Sequence, residues 1–308
     1  MNALSYDADL LVVGAGPAGV AAALMASSLG LRTMVLEGDI VGGRLHTIGS
    51  LENVPGGWTT GPQLAEALIA DLTRLQQAGL CTLVQERATK VGGYADRAEV
   101  ALADGRTFLA RTIVVATGVA ALAPRDVDWV SAPDQFSAPP LWRTPPAACT
   151  GPTFVLGGDR PLGTWLRAHA DAGTALHVLY PPTDDYKIEE VSRDERVRLL
   201  PVSHVTLARL SDGDGWRVLV TDRQGARHAY AAATVVGNLG SKPAAPEGVV
   251  QGEDGYCPPQ HQHHRIRIAG DLRSSRFQRI VTAQGSAAEC VLAHYYASAS
   301  PVGKGGVQ

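Results

Sequence analysis

Cysteine is scarce in this 308-residue chain, and the four present, Cys81, Cys149, Cys257 and Cys290, are widely scattered. No two stand at C-x-x-C spacing and none repeats a zinc-type spacing, which excludes a local dithiol motif and a cysteine-rich zinc site. Charge of one sign is also lacking: 27 Lys and Arg against 30 Asp and Glu leave a formal charge of -3. Nucleic acid and an anionic membrane surface both demand a basic face, so neither is expected as the main partner. No apolar run approaches the ~20 residues of a membrane span. Residues 1–8 lack the basic and apolar regions of a signal peptide. A cytoplasmic protein is expected, and structural disulfides are not expected in that compartment. What the chain does have is apolar content, 45% of it hydrophobic, enough for the cores of two medium domains.

Residues 10–19 read Leu-Leu-Val-Val-Gly-Ala-Gly-Pro-Ala-Gly. The β-branched run predicts a buried parallel strand, and Gly14, Gly16 and Gly19 stand at G-x-G-x-x-G spacing where that strand must turn into a helix. Gly14 permits the tight turn, Gly16 lets the backbone approach a pyrophosphate, and Gly19 lets the helix pack on the strand. Pro17 suits the first helical turn, and the free N–H groups beside it, next to Ala18, face an anion. A helix over 20–29 and a strand over 31–36 follow. The strand ends in Glu37, before Gly38, at about the ~20-residue distance where a carboxylate accepts from a ribose hydroxyl. Strand, helix and acid together predict dinucleotide binding.

Residues 41–57 are too glycine-rich and irregular for a helix or strand and read as a loop pressed against a ligand. This loop resembles the pattern G-G-Q-L, followed by E-N-x-P-G, of the low-molecular-weight thioredoxin reductase family. Gly42, Gly43, Leu45, Glu52, Asn53, Pro55 and Gly56 match it without a gap, and Arg44 replaces the usual glutamine. Ala116-Thr117-Gly118, closing a strand over 111–118, resembles the family's A-T-G motif. Ala269-Gly270-Asp271 resembles its A-G-D signature, whose aspartate contacts the ribityl chain of the flavin. Gln278-Arg279, before Ile280, inverts its R-Q order. The resemblance implies an α/β fold of two doubly wound Rossmann-like nucleotide-binding domains, the second inserted in the first. Residues 1–119 and 241–308 would bind FAD, residues 120–240 would form the NADPH-type domain, and the assembly would be a homodimer.

Between these motifs, leucines 64, 68, 72 and 75 predict an amphipathic helix over 61–75. Strand pieces over 82–101 and a hairpin at Asp104-Gly105 follow. A proline-rich linker over 121–151 leads to a strand over 153–156, a turn at Gly157-Gly158-Asp159, a helix over 162–170 and a strand over 175–180. Three more strands, around 197–205, 216–221 and 228–236, are separated by turns at Asp212-Gly213 and Gln224-Gly225. A return linker over 237–246, a closing helix over 284–296 and a flexible tail over 303–308 complete the chain.

Where the family carries its redox C-x-x-C and a following aspartate, this chain has Pro139-Pro140-Leu141-Trp142-Arg143, and Cys149 nearby has no partner. Without two thiols there is no dithiol relay. In the second glycine turn, Leu156 falls where the first glycine is expected. The family's H-R-R segment for the 2′-phosphate aligns with Tyr180-Pro181-Pro182, and Lys187 cannot replace bidentate guanidinium contacts. Asp159 fits the family; Arg160 either meets a phosphate or is a solvated surface residue. Productive use of NADPH is not expected.

The flavin pocket, by contrast, is expected to be intact, with added positive charge at Arg44 and Arg279. If these lie near the isoalloxazine pyrimidine edge, toward which the closing helix points in the family, they raise the flavin potential. Arg44 turned to solvent is the other reading. His46 reads as an acid or base in flavin chemistry or as a structural hydrogen-bonding residue. Trp142 reads as stacking on the flavin, holding an aromatic substrate, or packing in the linker. His261 and His263 share a strand face beside His264, but no carboxylate or cysteine completes a ligand set, and no metal is expected. The resulting expectation is an FAD-dependent oxidoreductase that exchanges electrons directly between flavin and a small-molecule substrate or redox protein. The alternative is a non-catalytic FAD-binding or interaction protein.

Overall fold

The run from Leu10 to Val13 is apolar on both faces, so it can only sit inside a sheet covered on both sides. In the computed structural model, which describes residues 5–211 and 215–298, it forms β1 (Ala8–Val13), with Leu10, Leu11 and Val12 fully buried. Then come α1 (Pro17–Ser28), β2 (Thr33–Leu36), α2 (Gly61–Gln77), β3 (Cys81–Val84), β4 (Ala88–Gly93), β5 (Ala98–Leu102) and β6 (Thr107–Val115). The four leucines that predicted α2 are all buried, and the Thr60 hydroxyl caps its start by accepting from Gln63 N–H. Strands β3, β2, β1 and β6 are parallel and adjacent in that order. The first half of β6 pairs antiparallel with β5, which pairs with β4.

The chain crosses into a second unit at β7 (Val119–Ala121). That unit holds β8 (Val130–Ser131), β9 (Thr153–Leu156), α3 (Pro161–Ala168), β10 (Leu176–Tyr180), β11 (Val197–Arg209), β12 (Trp216–Asp222), β13 (Arg227–Ala232) and β14 (Thr234–Gly237). Its sheet runs β13-β12-β11-β10-β9-β14, with β8 beside β11. The strand expected over 228–236 is thus two strands. They belong to different parts of the sheet, because β13 pairs with β12 whereas β14 pairs with β9. The chain returns through β15 (Ser241–Pro243) to β16 (Ile266–Ile268), parallel to β6, and α4 (Ile280–Ser298). Helix α4 starts four residues before the predicted 284. It packs on α1, whose Ala18, Ala22, Ala23 and Ala26 are small enough for two helices to approach closely.

One unit comprises Met1–His46, Leu51–Val119 and Pro243–Gln308, and the other Thr47–Ser50 and Ala120–Lys242. The core of the first gathers Leu11, Val13, Leu36, Ile113, Val115 and Ile268. That of the second gathers Phe154, Leu156, Leu179 and Val205 on one face of its sheet, and Leu141, Val155, Trp165 and Val178 on the other. The turn expected at Asp212-Gly213 and the tail over 303–308 lie outside the described residues.

Candidate functional site

In a doubly wound sheet, ligands bind beyond the carboxyl ends of the strands. In the first unit the segments leaving β1 and β6 meet there. Gly14 turns the chain at φ +97, and a Cβ on it would lie 2.7 Å from Ala116 O. Gly19 rests on Gly14 O so closely that any Cβ would overlap it. Gly16 differs, since a Cβ there would meet nothing within 4 Å. It is the N-cap of α1, Pro17 opens the first turn, and no side chain caps the helix. The N-terminal end of α1 can therefore receive an anion. The space at Gly16 is not needed by the protein itself.

At the end of β2, Glu37 Oε2 accepts from Ala15 N–H at 2.6 Å and Oε1 accepts from Asp39 N–H at 2.8 Å. Gly38 packs against Arg87. Gly118 has φ +61. Beside it the Thr117 hydroxyl is buried with no hydrogen-bond partner in the protein, a state that an added acceptor or donor would relieve. Gly270, at φ +71, approaches the start of α1 so closely that its Cβ would lie 2.9 Å from Ala18 Cβ, and its N–H donates to Ser286 Oγ at 2.9 Å. The turn carrying Asp271 is thereby fixed against both α1 and α4.

Burial pushes the Asp271 carboxyl above its usual range, and the guanidiniums of Arg44 and Arg279 draw it partly back. Arg44 is thus exposed to solvent and within electrostatic reach of Asp271 at once. Gln278 Nε2 donates to Asp271 O, Ser274 O and the Tyr256 hydroxyl at 3.0–3.2 Å. Arg279 N–H donates to Thr282 Oγ1 at 3.1 Å, just before Ile280 opens α4. His46 Nε2 lies 3.0 Å from Val41 O, so its ring closes the loop around Gly42; this geometry supports the structural reading. Gly43 has open space beside it, Leu45 is buried, and Asn53 is exposed.

In the second unit, the turn after β9 departs from the register expected of it. Gly157 takes φ +96, donates its N–H to Leu179 O at 2.8 Å, and abuts Asn238 O. These are the relations of Gly14 to Leu36 and Ala116. Gly157, not position 156, is therefore the first turn glycine, and Leu156 is a fully buried strand residue. Helix α3 starts one residue later relative to its turn glycine than α1 does, so Asp159 and the exposed Arg160 stand in the chain where the first turn has Gly16 alone. Asp184, unrecognised from sequence, accepts from Gly158 N–H at 3.0 Å. Lys187 pairs with both Asp184 and Asp159, at 2.9 and 3.3 Å. Trp142 lies in the short turn Leu141–Arg143 with the Arg143 guanidinium 4.5 Å from its ring centroid.

All four cysteines are free. Burial pushes Cys81, Cys257 and Cys290 up to about 11 and also raises Cys149. His263 packs on His264, and among the described residues no three His, Cys, Asp or Glu side chains converge as a metal site. Among the same residues no helix is long and apolar enough to cross a membrane.

These features define a two-unit α/β fold of the thioredoxin reductase type. Residues 8–134 match the pyridine nucleotide-disulphide oxidoreductase family. The chain is 26% identical over 300 residues to a thioredoxin reductase of Listeria monocytogenes, covering 90% of this chain and 89% of the relative. Its fold is similar to solved thioredoxin reductases of T. acidophilum, with a TM-score of 0.72, 18% identity and coverage of 96% and 99%, and of Lactococcus lactis, with 0.71, 18%, 94% and 98%.

Proposed function

We propose that the first unit holds FAD and that the protein is an FAD-dependent oxidoreductase passing electrons directly between flavin and a small-molecule substrate or a redox protein. The observation that carries this reading is the cradle of Gly14, Gly16, Glu37, Thr117 and Gly270. It has an open backbone approach at Gly16 and one buried hydroxyl, that of Thr117, left without a protein partner. The residues present fit the group: the α1 N-terminus would take the pyrophosphate, Glu37 the ribose hydroxyls and Asp271 the ribityl chain. Bound FAD would supply the redox chemistry, while the chain supplies orientation and electrostatics. Arg44 and Arg279, converging on Asp271, would bring positive charge to the same pocket.

Neither a dithiol nor NADPH enters this reading. The four thiols are raised by burial, so none is poised as a thiolate. The segment Tyr180-Pro181-Pro182 carries no guanidinium for a 2′-phosphate. The relatives are named for reducing thioredoxin; the acceptor here is a different one. Assembly as a cytoplasmic homodimer belongs to the same proposal. The test has two arms: under anaerobic conditions the oxidised FAD-loaded protein is mixed with NADPH and with reduced ferredoxin-like proteins, and the photoreduced protein is then exposed to oxygen and to quinones. The flavin band should survive NADPH and respond to one of the others. Rapid bleaching by NADPH overturns the reading, a flavin inert to every reagent marks a silent FAD-binding protein, and a chain that takes up no FAD removes the basis of both.

A further inference from the structure

Two extremes meet at one residue of the first unit. Among the described residues Phe277 is the only non-glycine with a left-handed backbone, at φ +60, and at 83% it is also the most exposed large apolar side chain. A bulky residue is rarely found in that region, where glycine or asparagine is at ease. An exposed phenyl ring also forgoes the burial that stabilises other apolar side chains. The backbone is nevertheless held there from both sides. Thr282 Oγ1 lies 2.6 Å from Phe277 O, Arg276 N–H donates to Ser274 Oγ at 3.1 Å, and the Gln278 amide donates to Asp271 O, Ser274 O and the Tyr256 hydroxyl. A strained conformation that its surroundings enforce, with no packing gained by the protein itself, points to a role outside the chain.

The ring stands in a cationic turn. Residues 272–281 contain Arg273, Arg276 and Arg279 and no acid. Glu289 holds Arg273 at 3.0 Å, whereas Arg276 and Arg279 are exposed and form no salt bridge among the described residues. Shape limits what covers such a feature. A small molecule needs a concave site around most of its surface, and a ring this exposed walls no such site. A second copy docked through a two-fold axis centred here would set the same arginines against each other. Single-stranded nucleic acid needs a basic groove that tracks its backbone, which two arginines on one turn of a chain of net charge -3 do not make. A protein interface fits, because aromatic rings and arginines are enriched there and aromatic anchors carry much of the binding energy. The charge calls for a partner of opposite sign.

We propose that this turn docks an acidic redox protein, with Phe277 entering an apolar hollow of the partner and Arg276 pairing with carboxylates at its rim. Gln278, next in the chain, is bonded to Asp271 O, so the contact falls beside the candidate flavin pocket. The proposal rests on the reading that the first unit passes electrons through FAD, and it names the class of protein that meets the unit there. The two fail separately, because docking is read as binding between oxidised proteins, without electron transfer, and the flavin reading from the absorption spectrum.

Calorimetric titration of the FAD-loaded protein with an acidic flavodoxin and an acidic plant-type ferredoxin tests it, with basic cytochrome c and a single-stranded DNA oligonucleotide as controls. At least one acidic carrier binds, and its affinity falls as salt is raised from about 20 to about 300 mM, because exposed charges are screened. The controls do not bind. F277N suits the left-handed backbone, so its Tm rises by about 2–4 °C, while the dissociation constant for the carrier rises about tenfold or more. A ring that served only the fold would lower Tm when removed. R276E, at an exposed position, leaves Tm and FAD content unchanged, weakens carrier binding severalfold and flattens its salt dependence. Should F277N not fold by circular dichroism, R276E carries the test. No binding by either carrier, binding of cytochrome c or the oligonucleotide in their place, a lowered Tm in folded F277N, or unchanged carrier affinity in the folded variants overturns the proposal.

Discussion

Replacing Thr117 by valine separates a cofactor contact from a structural one. The hydroxyl is buried without a protein partner, and a buried polar group left unpaired costs about 1–3 kcal/mol. Valine keeps the branched shape and removes that cost, so the flavin-free protein should gain about 1 kcal/mol, or roughly 2–4 °C in Tm for a unit of this size. The same change deletes one hydrogen bond available to FAD, worth about 1 kcal/mol net, so the FAD dissociation constant should rise about fivefold. The two effects have opposite signs, which no purely structural role produces. Thermal unfolding of the stripped protein and equilibrium dialysis with FAD read them separately. A T117V protein that is less stable without flavin and binds FAD as tightly as before would refute the assignment of Thr117 to the cofactor.

The glycines give a second contrast. Gly14→Ala places a Cβ on Ala116 O at φ +97 and should cost the flavin-free protein about 1–3 kcal/mol. Gly16→Ala meets nothing and should leave unfolding within about 1 kcal/mol of the parent while abolishing FAD retention. Differential scanning calorimetry with and without flavin distinguishes the two variants. A pH effect follows from His294, buried 2.9 Å from the Thr112 hydroxyl and held below its ordinary value of 6.5 by burial and then by the charge of Arg267. The unfolded chain takes up a proton there first, so stability is full above 6.5 and falls as pH drops through that value toward the folded one. Urea unfolding of the parent should show this slope and H294Q should reduce it to the share of His177 and His263, which burial also lowers; equal slopes exclude His294 as a source. Finally, the thiols of Cys81, Cys257 and Cys290, pushed up to about 11, should react with Ellman's reagent at pH 8 only on unfolding. Fast titration of two thiols in the native protein would contradict the absence of a redox pair.

Most of the first unit was legible from residue order because its signals are local. A short β-branched apolar run that ends on a G-x-G-x-x-G spacing reads as a buried strand and its turn, and α2 shows its leucine periodicity directly. The second unit was harder to read. The strand over 153–156 and the turn at 157–159 were read correctly, but this turn has one more residue before its helix than the first does, so matching it to the glycine fingerprint put the first glycine at Leu156 when Gly157 fills that role. The split of 228–236 into β13 and β14 was hidden for a related reason: strand partners distant in sequence, not propensity, decide where one strand ends and the next begins.

The order of residues by itself established the α/β class, the position of the first glycine turn and the absence of a C-x-x-C pair, since each depends on residue type and near-neighbour spacing. Tertiary structure alone decided that the Thr117 hydroxyl is unpaired, that Arg44 and Arg279 act on one carboxylate, that His46 closes its own loop, and that Asp184 repeats the bond of Glu37. The physical reason is that these facts concern groups brought together across dozens to hundreds of residues. Their charge and hydrogen-bonding state is set by burial and by partners that local sequence does not contain.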